Sequence, residues 1–417
     1  MLLSFRVANH GSLREPQELN LVPVYGDERG AVPVVAIYGA NASGKSTVVD
    51  AFKFFTKAVR DSQARWLPGG PVPRRPFLLD HESRAEASSY AVDLLLKGVR
   101  HVYGFSVTDA EVTAEWLYAY PKGRRRVLFE RARTVMAYGA TLTGERVVAE
   151  RIMRPNSLYL SAAAQSAHRQ LSEVWTAVHS ALVINDNTRQ TVAEGAFAVV
   201  AYERFANMGL PLGAEVLAAA DLGVHGIRRG PADAPSERAD PEDAFEVAES
   251  ESLEFVHRVG TEDFVLPVDA ESAGTKTWLT LVTGGLSAIL AGRAMWVDEV
   301  DVSLHPMLTA KLVSLFQNPE LNPRGAQLIF TTHDASLLGT MLGDQVLQRD
   351  QVWFVEKNPA TGASELYPLS DFKPRKGENF ERRYLAGSYG AVPLLPETAF
   401  EDMLKKYWGT HGEVIST

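Results

Sequence analysis

The sequence predicts an α/β fold in which a parallel sheet carries helices on its faces and is joined to an antiparallel sheet lobe and a helical insertion. Three observations predict it. An unbroken apolar run at residues 32–38 and the stretches 294–297 and 327–331 have the character of buried strands, and helical stretches alternate with them in a β-α-β rhythm. Between residues 90 and 131 the pattern changes to short alternating runs punctuated by Gly98, Asp109 and Gly123, which is the signature of an antiparallel meander. Residues 157–222 are rich in Ala, Leu, Gln and Val with few Gly or Pro, which reads as helix.

In chain order, residues 1–25 alternate apolar and polar and read as two strands around a turn at His10-Gly11-Ser12. The apolar run 32–38 is a buried strand that enters a Gly-rich loop and then a helix from Ser46 to about Arg60. Residues 66–76 (WLPGGPVPRRP) are loop. The meander follows, with strands at 90–96, 101–107, 112–120 and 126–131. The helices of 157–222 are interrupted near Asp186–Asn187. Residues 230–252 hold eight acids against one base and three prolines, so they form a solvated loop. A strand pair (253–259 and 264–268), a loop (271–276), a helix (278–290), a strand (294–297), a helix (306–316) and a strand (327–331) complete the pattern. There is neither an internal repeat nor a sustained heptad.

Composition bounds the function. At ~150 residues per unit, 417 residues make two to three domain-sized units. An apolar share of 46% and a charged share of 22% exclude a disordered or collagen-like chain. The absence of cysteine excludes disulfides, thiolate metal sites and thiol catalysis, and it fits a reducing cytoplasm, the expected location. The first residues lack the features of a signal peptide, and 278–290 is too short and too rich in Gly and Thr for a membrane span. A net charge of −9 excludes a globally basic nucleic-acid binder. Two local basic groups remain: Arg124-Arg-Arg126 with Tyr118, Tyr120 and Lys122, and Lys373, Arg375, Lys376, Arg382 and Arg383 near the end. The first reads more simply as a solvated strand edge, the second equally as a salt-bridge network.

Four motifs carry chemistry. Gly39-Ala-Asn-Ala-Ser-Gly44-Lys45-Ser46 matches G-x-x-x-x-G-K-[ST] at every fixed position and lies between a buried strand and a helix. Its glycines let backbone N–H groups turn toward phosphate oxygens, the helix N-terminus adds positive charge, Lys45 reaches the β- and γ-phosphates, and Ser46 ligates Mg²⁺. The nucleotide-contacting residues are therefore Gly39, Asn41, Ala42, Ser43, Gly44, Lys45, Ser46 and Thr47, and the cofactors are ATP and Mg²⁺. Met295-Trp-Val-Asp298-Glu299 is a hydrophobic strand that ends in two acids: Asp298 holds the metal with Ser46, and Glu299 polarises the attacking water. Gln327-Leu-Ile-Phe-Thr-Thr-His333 places His333 at the carboxyl end of a parallel strand, where open α/β sheets bind ligands, as a sensor of the γ-phosphate. Glu271-Ser272-Ala273-Gly274-Thr275-Lys276 is a Ser-x-Gly turn at a helix start, either an ordinary cap or a second phosphate device in which Ser272 and Gly274 serve a nucleotide across a dimer. His257 reads as a core residue. Asp344, Asp350 and Glu356 are too scattered to form a second acidic centre.

The order of these motifs resembles the ATP-binding cassette arrangement of the SMC/RecF/OLD-like branch, with Asp301-Val-Ser303-Leu-His305-Pro306 as its D-loop. With GANASGKST, ESAGTK, VDEVDVSLHP, TTHD and DFKPRKGENFERRYLAGSYGAVP, the chain is further similar to bacterial AAA-type ATPases of the RloA and PARIS kind, which act in phage defence. The resemblance implies a P-loop NTPase with an ABC-like two-lobe head. It divides the chain into an N-terminal ATPase lobe (1–150), a helical insertion (151–229), an acidic loop (230–252), a C-terminal ATPase lobe (253–370) and a tail (371–417). It also implies ATP hydrolysis in a homodimer or higher homo-oligomer acting on a separate nuclease or toxin, with nucleic acid as a further candidate ligand and no membrane. The alternatives are a RecF-like repair ATPase and an ATP-regulated nuclease. One departure stands out. Relatives commonly read Asn-Phe-Arg-Ser at the first turn, with the Arg near the nucleotide; here Asn9-His10-Gly11-Ser12 has none, and Arg14 is the nearby substitute.

Overall fold

The structure, a computed structural model, describes residues 1–25, 30–184, 223–232, 251–267, 270–343, 345–373, 375, 377–393 and 398–411. The chain begins with β1 (Leu2–Ala8), β2 (Gln17–Asn20), β3 (Val34–Tyr38), α1 (Lys45–Asp61) and the short α2 (His81–Ala85). Five strands follow, β4 (Ser88–Leu96), β5 (Val99–Val107), β6 (Val112–Tyr120), β7 (Arg126–Ala132) and β8 (Val135–Tyr138). Next come α3 (Val147–Ile152), α4 (Tyr159–Gln165), α5 (Arg169–His179) and β9 (Leu182–Ile184). Then come β10 (Val224–Ala232), β11 (Glu251–Val259), β12 (Glu262–Pro267), α6 (Ala273–Ala291), β13 (Ala294–Val297), α7 (Pro306–Gln317) and β14 (Gln327–Thr331). The last elements are β15 (Val352–Lys357), β16 (Ser364–Pro368), α8 (Phe380–Leu385) and α9 (Ala399–His411).

These strands make three sheets. A seven-stranded antiparallel sheet has the order β2-β1-β4-β5-β6-β7-β8, and β10-β11-β12 is a small antiparallel sheet. The third has the order β16-β15-β3-β14-β13-β9, parallel from β15 to β9, with β16 antiparallel at its edge. Its register aligns the strand ends: Thr331 lies opposite Ile37, Phe354 opposite Tyr38, and Val297 opposite Phe330. Gly39, Asp298 and Thr332 consequently all leave the sheet at its carboxyl edge. Parallel strands buried on both faces must be apolar throughout, and alternate residues of this sheet feed two cores. Val35, Ile37, Trp296 and Ile329 face the antiparallel sheet. Val34, Ala36, Val297 and Phe330 face α6 and α7.

Helix α1 lies between the two large sheets. Its apolar positions Val48, Val49, Phe52, Phe55, Ala58 and Val59 recur at helical spacing and are buried. Phe52 stacks on Trp296 of β13 at 4.1 Å between ring centroids, and Phe55 stacks on Phe105 of β5 at 5.5 Å. A second tether holds the antiparallel sheet to α4. The buried carboxylate of Glu115 accepts from the N–H groups of Tyr159 at 2.6 Å and Leu160 at 2.9 Å, and from the Tyr103 hydroxyl at 3.0 Å, with Arg131 at 3.4 Å.

Several expectations change. The helical insertion is helical only in its first part: Leu182–Ile184, in its middle, is the edge strand of the parallel sheet, with the Ile184 carbonyl bonded to Asp298 N at 2.9 Å, and its last residues belong to the strand Val224–Ala232. The run 182–184 is β-prone, and a neighbouring strand supplies the pairing that local composition does not reveal. Residues 185–222, including Asp186–Asn187, lie outside the described residues. The acidic loop 230–252 begins and ends inside β10 and β11, and 233–250 lies outside the described residues. The strands β8, β15 and β16 had no expected counterpart. The loop 271–276 is mostly helix, because α6 starts at Ala273. The first two strands join the antiparallel sheet through β1 and β4, paired at Phe5 and Val92.

Phe52→Ala empties the contact between α1 and β13. The expected loss is about 3–5 kcal/mol, read as a lowered denaturant midpoint with an unchanged slope in urea unfolding.

Candidate functional site

Gly39 follows β3 directly. A Cβ there would stand 2.5 Å from Ser43 Oγ and 2.5 Å from the Val355 carbonyl, so the tight turn requires glycine. Ala42 has φ +62°, and Gly44, the N-cap of α1, has φ +110° and offers no side-chain cap. The first amides of α1 are therefore left for an external acceptor, at the positive end of a 17-residue helix. Lys45 is buried, and its ammonium donates to the carbonyls of Gly39 at 2.8 Å and Ala40 at 3.0 Å. Burial pulls its pKa down, against the opposing fields of Glu299, Asp298 and Asp301. Asn41 and Ser46 are exposed, whereas Ser43 Oγ is buried without a hydrogen-bond partner among the described residues.

The ends of β13 and β14 supply the acids and the histidine. The Thr331 hydroxyl donates to Asp298 Oδ1 at 2.6 Å and accepts from Glu299 N at 2.7 Å, fixing both acids from the adjacent strand. Glu299 has φ +51°, a backbone region costly for a residue with a side chain and frequent at functional sites. Its Oε1 lies 3.7 Å from His333 Nε2, and both side chains are partly exposed. His333 N donates to Asp301 Oδ2 at 3.3 Å, while the other oxygen of Asp301 is buried without a hydrogen-bond partner among the described residues. Lys45, Asp298, Glu299 and His333 thus come together, and Asp301 joins them. The sequence had placed Asp301 only as the start of a loop.

Ser272 and Gly274 lie at the start of α6. Ser272 caps α6, accepting from Thr275 N at 3.1 Å, and a Cβ on Gly274 would meet the Ser303 carbonyl at 2.9 Å. The Ser-x-Gly turn therefore packs on the Asp301–Pro306 segment. Just before it, Glu271 bonds to His257 at 2.5 Å, so His257 is a half-buried partner of the turn and not a core residue. Arg14 pairs with Asp80 at 2.8 Å, and His10 is buried between Tyr90 at 2.8 Å and Asp50 at 3.1 Å. Arg125 lies on the Tyr118 ring at 3.9 Å and pairs with Glu130 at 2.9 Å, a surface network of the bland kind. In the tail, Arg383 pairs with Glu378, and Lys376 lies outside the described residues.

Sequence reasoning missed the support behind the phosphate loop. Ser364, at the start of β16, donates to the Ser43 carbonyl at 2.6 Å. Its oxygen is 2.8 Å from Ser12 Oγ, which is 3.2 Å from Thr47 Oγ1. A Cβ on Gly44 would meet both serine hydroxyls, at 2.4 and 2.7 Å. The Thr47 side chain is turned toward Gly11 and Ser12, so that Thr47 is bonded to the first turn of the chain. No sequence signal marks this chain of hydroxyls, because Ser43 and Ser364 are 321 residues apart.

The donor set suits a polyphosphate with a hard cation: a glycine turn with no room for a Cβ, an orphaned Ser43 hydroxyl, one ammonium, and hydroxyl and carboxylate oxygens. Among the described residues, no group of three or more His, Asp or Glu forms a metal site by itself. Ser364→Ala removes the bond to Ser43 and is expected to weaken ATP binding about tenfold, the worth of a hydrogen bond. Calorimetry checks this alongside a melting curve, which should stay within a few degrees of the unaltered protein.

Comparison with known families agrees with this geometry. A family described as "AAA domain, putative AbiEii toxin, Type IV TA system" matches residues 34–339, from the first residue of β3 to just beyond His333. No curated protein matches the chain. No helix among the described residues is long and apolar enough to cross a membrane. With its phosphate loop, paired acids and histidine inside a match that covers most of its length, the chain belongs to this family of AAA-type P-loop ATPases.

Proposed function

We propose that the chain is a Mg²⁺-dependent ATPase with an ABC-like two-lobe head, that two copies share their nucleotides head to tail, and that it is the sensor and regulatory subunit of a phage-defence system controlling a separate nuclease or toxin. One observation carries the hydrolytic part. Glu299 is held at φ +51°, 3.7 Å from His333, just past the end of β13, which β14 separates from β3, the strand that leads into the phosphate loop. A strained acid beside a histidine, in the field of a buried lysine, is an arrangement for orienting water at a terminal phosphate.

In this reading the loop amides and Lys45 bind the phosphates, and Ser46 and Asp298 hold Mg²⁺, with Asp298 oriented by Thr331. Held by those two residues, Mg²⁺ would supply positive charge beside the phosphate oxygens. Glu299 orients the attacking water and takes its proton, and His333 hydrogen-bonds the terminal phosphate. The shared site is supported by the position of Ser272 and Gly274 at the N-terminus of the 19-residue α6, packed on the Ser303 carbonyl. In this reading the turn and the Asp301–Pro306 segment it packs on together face a second copy's phosphate loop. The defence role is supported by the family's description as a toxin–antitoxin component and by the resemblance in the motifs.

Lys45→Ala removes the one cation of the phosphate loop and is expected to abolish most ATP affinity in calorimetry; affinity within twofold of the unaltered protein would sink the phosphate-loop assignment. Glu299→Gln keeps the shape of the side chain and is expected to retain ATP while slowing turnover by ~10²-fold or more, measured as phosphate release. On that background ATP should stabilise a dimer in sedimentation, and adding Ser272→Arg should weaken the dimer while ATP binding persists. If neither mass nor solution scattering responds to ATP, Ser272 is a cap alone.

A further inference from the structure

Helix α9 carries a largely exposed apolar face. Phe400, Met403, Leu404, Tyr407 and Trp408 follow the i, i+3, i+4, i+7, i+8 spacing of one helical stripe. Each of these five large side chains is between 51% and 66% exposed. A run of exposed apolar residues at that spacing marks a contact surface.

The order of residues identifies what covers it. From 400 to 407 the chain reads Phe-Glu-Asp-Met-Leu-Lys-Lys-Tyr. About the midpoint between Met403 and Leu404 the apolar residues are symmetric: aromatic at each end, Met and Leu at the centre. The charges are antisymmetric, with two acids before the midpoint and two bases after it. Glu401 and Lys405, at i and i+4, lie along the same flank of the stripe, 3.9 Å apart. A two-fold axis through the midpoint lays that flank against its own inverted copy, so that Glu401 meets Lys405 of a second copy and Phe400 comes near a second copy's Tyr407. A parallel arrangement would put acid against acid. Self-complementarity under inversion is what a two-fold interface demands, because residue i contacts j and j contacts i.

We infer that α9 is a self-association element, pairing antiparallel with α9 of a second copy through the 400–408 stripe. Two such faces bury on the order of 1,000 Å², the low end of specific interfaces, so the association is weak and concentration-dependent. It needs no nucleotide and is separate from the shared ATP site proposed above.

The test uses the full-length chain without nucleotide, in sedimentation equilibrium up to about 100 μM, a range suited to weak interfaces. The unaltered chain is expected to dimerise. Glu401→Lys with Asp402→Lys opposes base to base, and Lys405→Glu with Lys406→Glu opposes acid to acid; each pair alone should weaken the dimer at least tenfold. Mixing the two altered chains, or combining all four substitutions in one chain, should restore it. Leu404→Glu should abolish it. None of these residues is in a core, so melting temperatures should stay constant. An unaltered chain that remains monomeric throughout overturns the proposal, as does a dimer insensitive to the charge reversals.

Discussion

The phosphate loop faces its acids because α1 is packed from both sides. Phe52 lies on Trp296 of the parallel sheet and Phe55 on Phe105 of the antiparallel sheet, so the helix can neither roll nor slide without breaking one stack. Trp296 stands two residues before Asp298 on the same strand. The contact that seats the helix therefore also sets the strand end from which Asp298 and Glu299 project. Aromatic stacking of this kind adds to the area buried, and close packing leaves few alternative seats. The position of every group at the carboxyl edge follows from that one helix being clamped.

Once the helix is seated, charge shapes the site. Three carboxylates, Asp298, Glu299 and Asp301, act on one buried ammonium, Lys45. Such a site favours a polyphosphate that brings its own divalent cation, since the bare anion would meet more negative than positive side-chain charge. Thr331 does for the acids what Ser364 does for the loop: a single hydroxyl from a neighbouring strand holds the group in place. The strain at Glu299 is held in place by the backbone bonds on either side of it, from Asp298 N to Ile184 and from Val300 N to Thr331.

The C-terminal segment buttresses the other side of β3. Tyr384 of α8 packs edge-on against Tyr38 at 5.4 Å and stacks on Phe354 at 5.7 Å, and Glu381 abuts Gly339, six residues beyond His333. The Tyr38 hydroxyl donates to the Asp334 carbonyl at 3.1 Å, tying the end of β3 to the loop after His333. The first turn of the chain has a comparable role. With no arginine at that turn, His10 is a buried bridge between Tyr90 and Asp50, and Ser12 reaches the phosphate loop with its hydroxyl.

What the sequence determined by itself is the local chemistry and the elements that carry a strong period. A phosphate loop is contiguous, and its glycines are required by backbone geometry within six residues. β3 and β13 are apolar throughout and β14 is apolar at its centre because both of their faces are buried, and β6 of the meander alternates because one face is the more buried. Tertiary structure decided what depends on partners remote in the chain. Leu182–Ile184 is a strand because β13 pairs with it, β1 joins the antiparallel sheet because β4 accepts it, and β15 and β16 complete the sheet beside β3. The hydroxyls of Ser12 and Ser364, ordinary polar residues by any local measure, become support for the phosphate loop because the fold brings together segments more than three hundred residues apart. Periodicity encodes which face of an element is buried. It does not encode which element covers that face, because any apolar surface of the right shape satisfies the hydrophobic effect, and only the completed packing selects one.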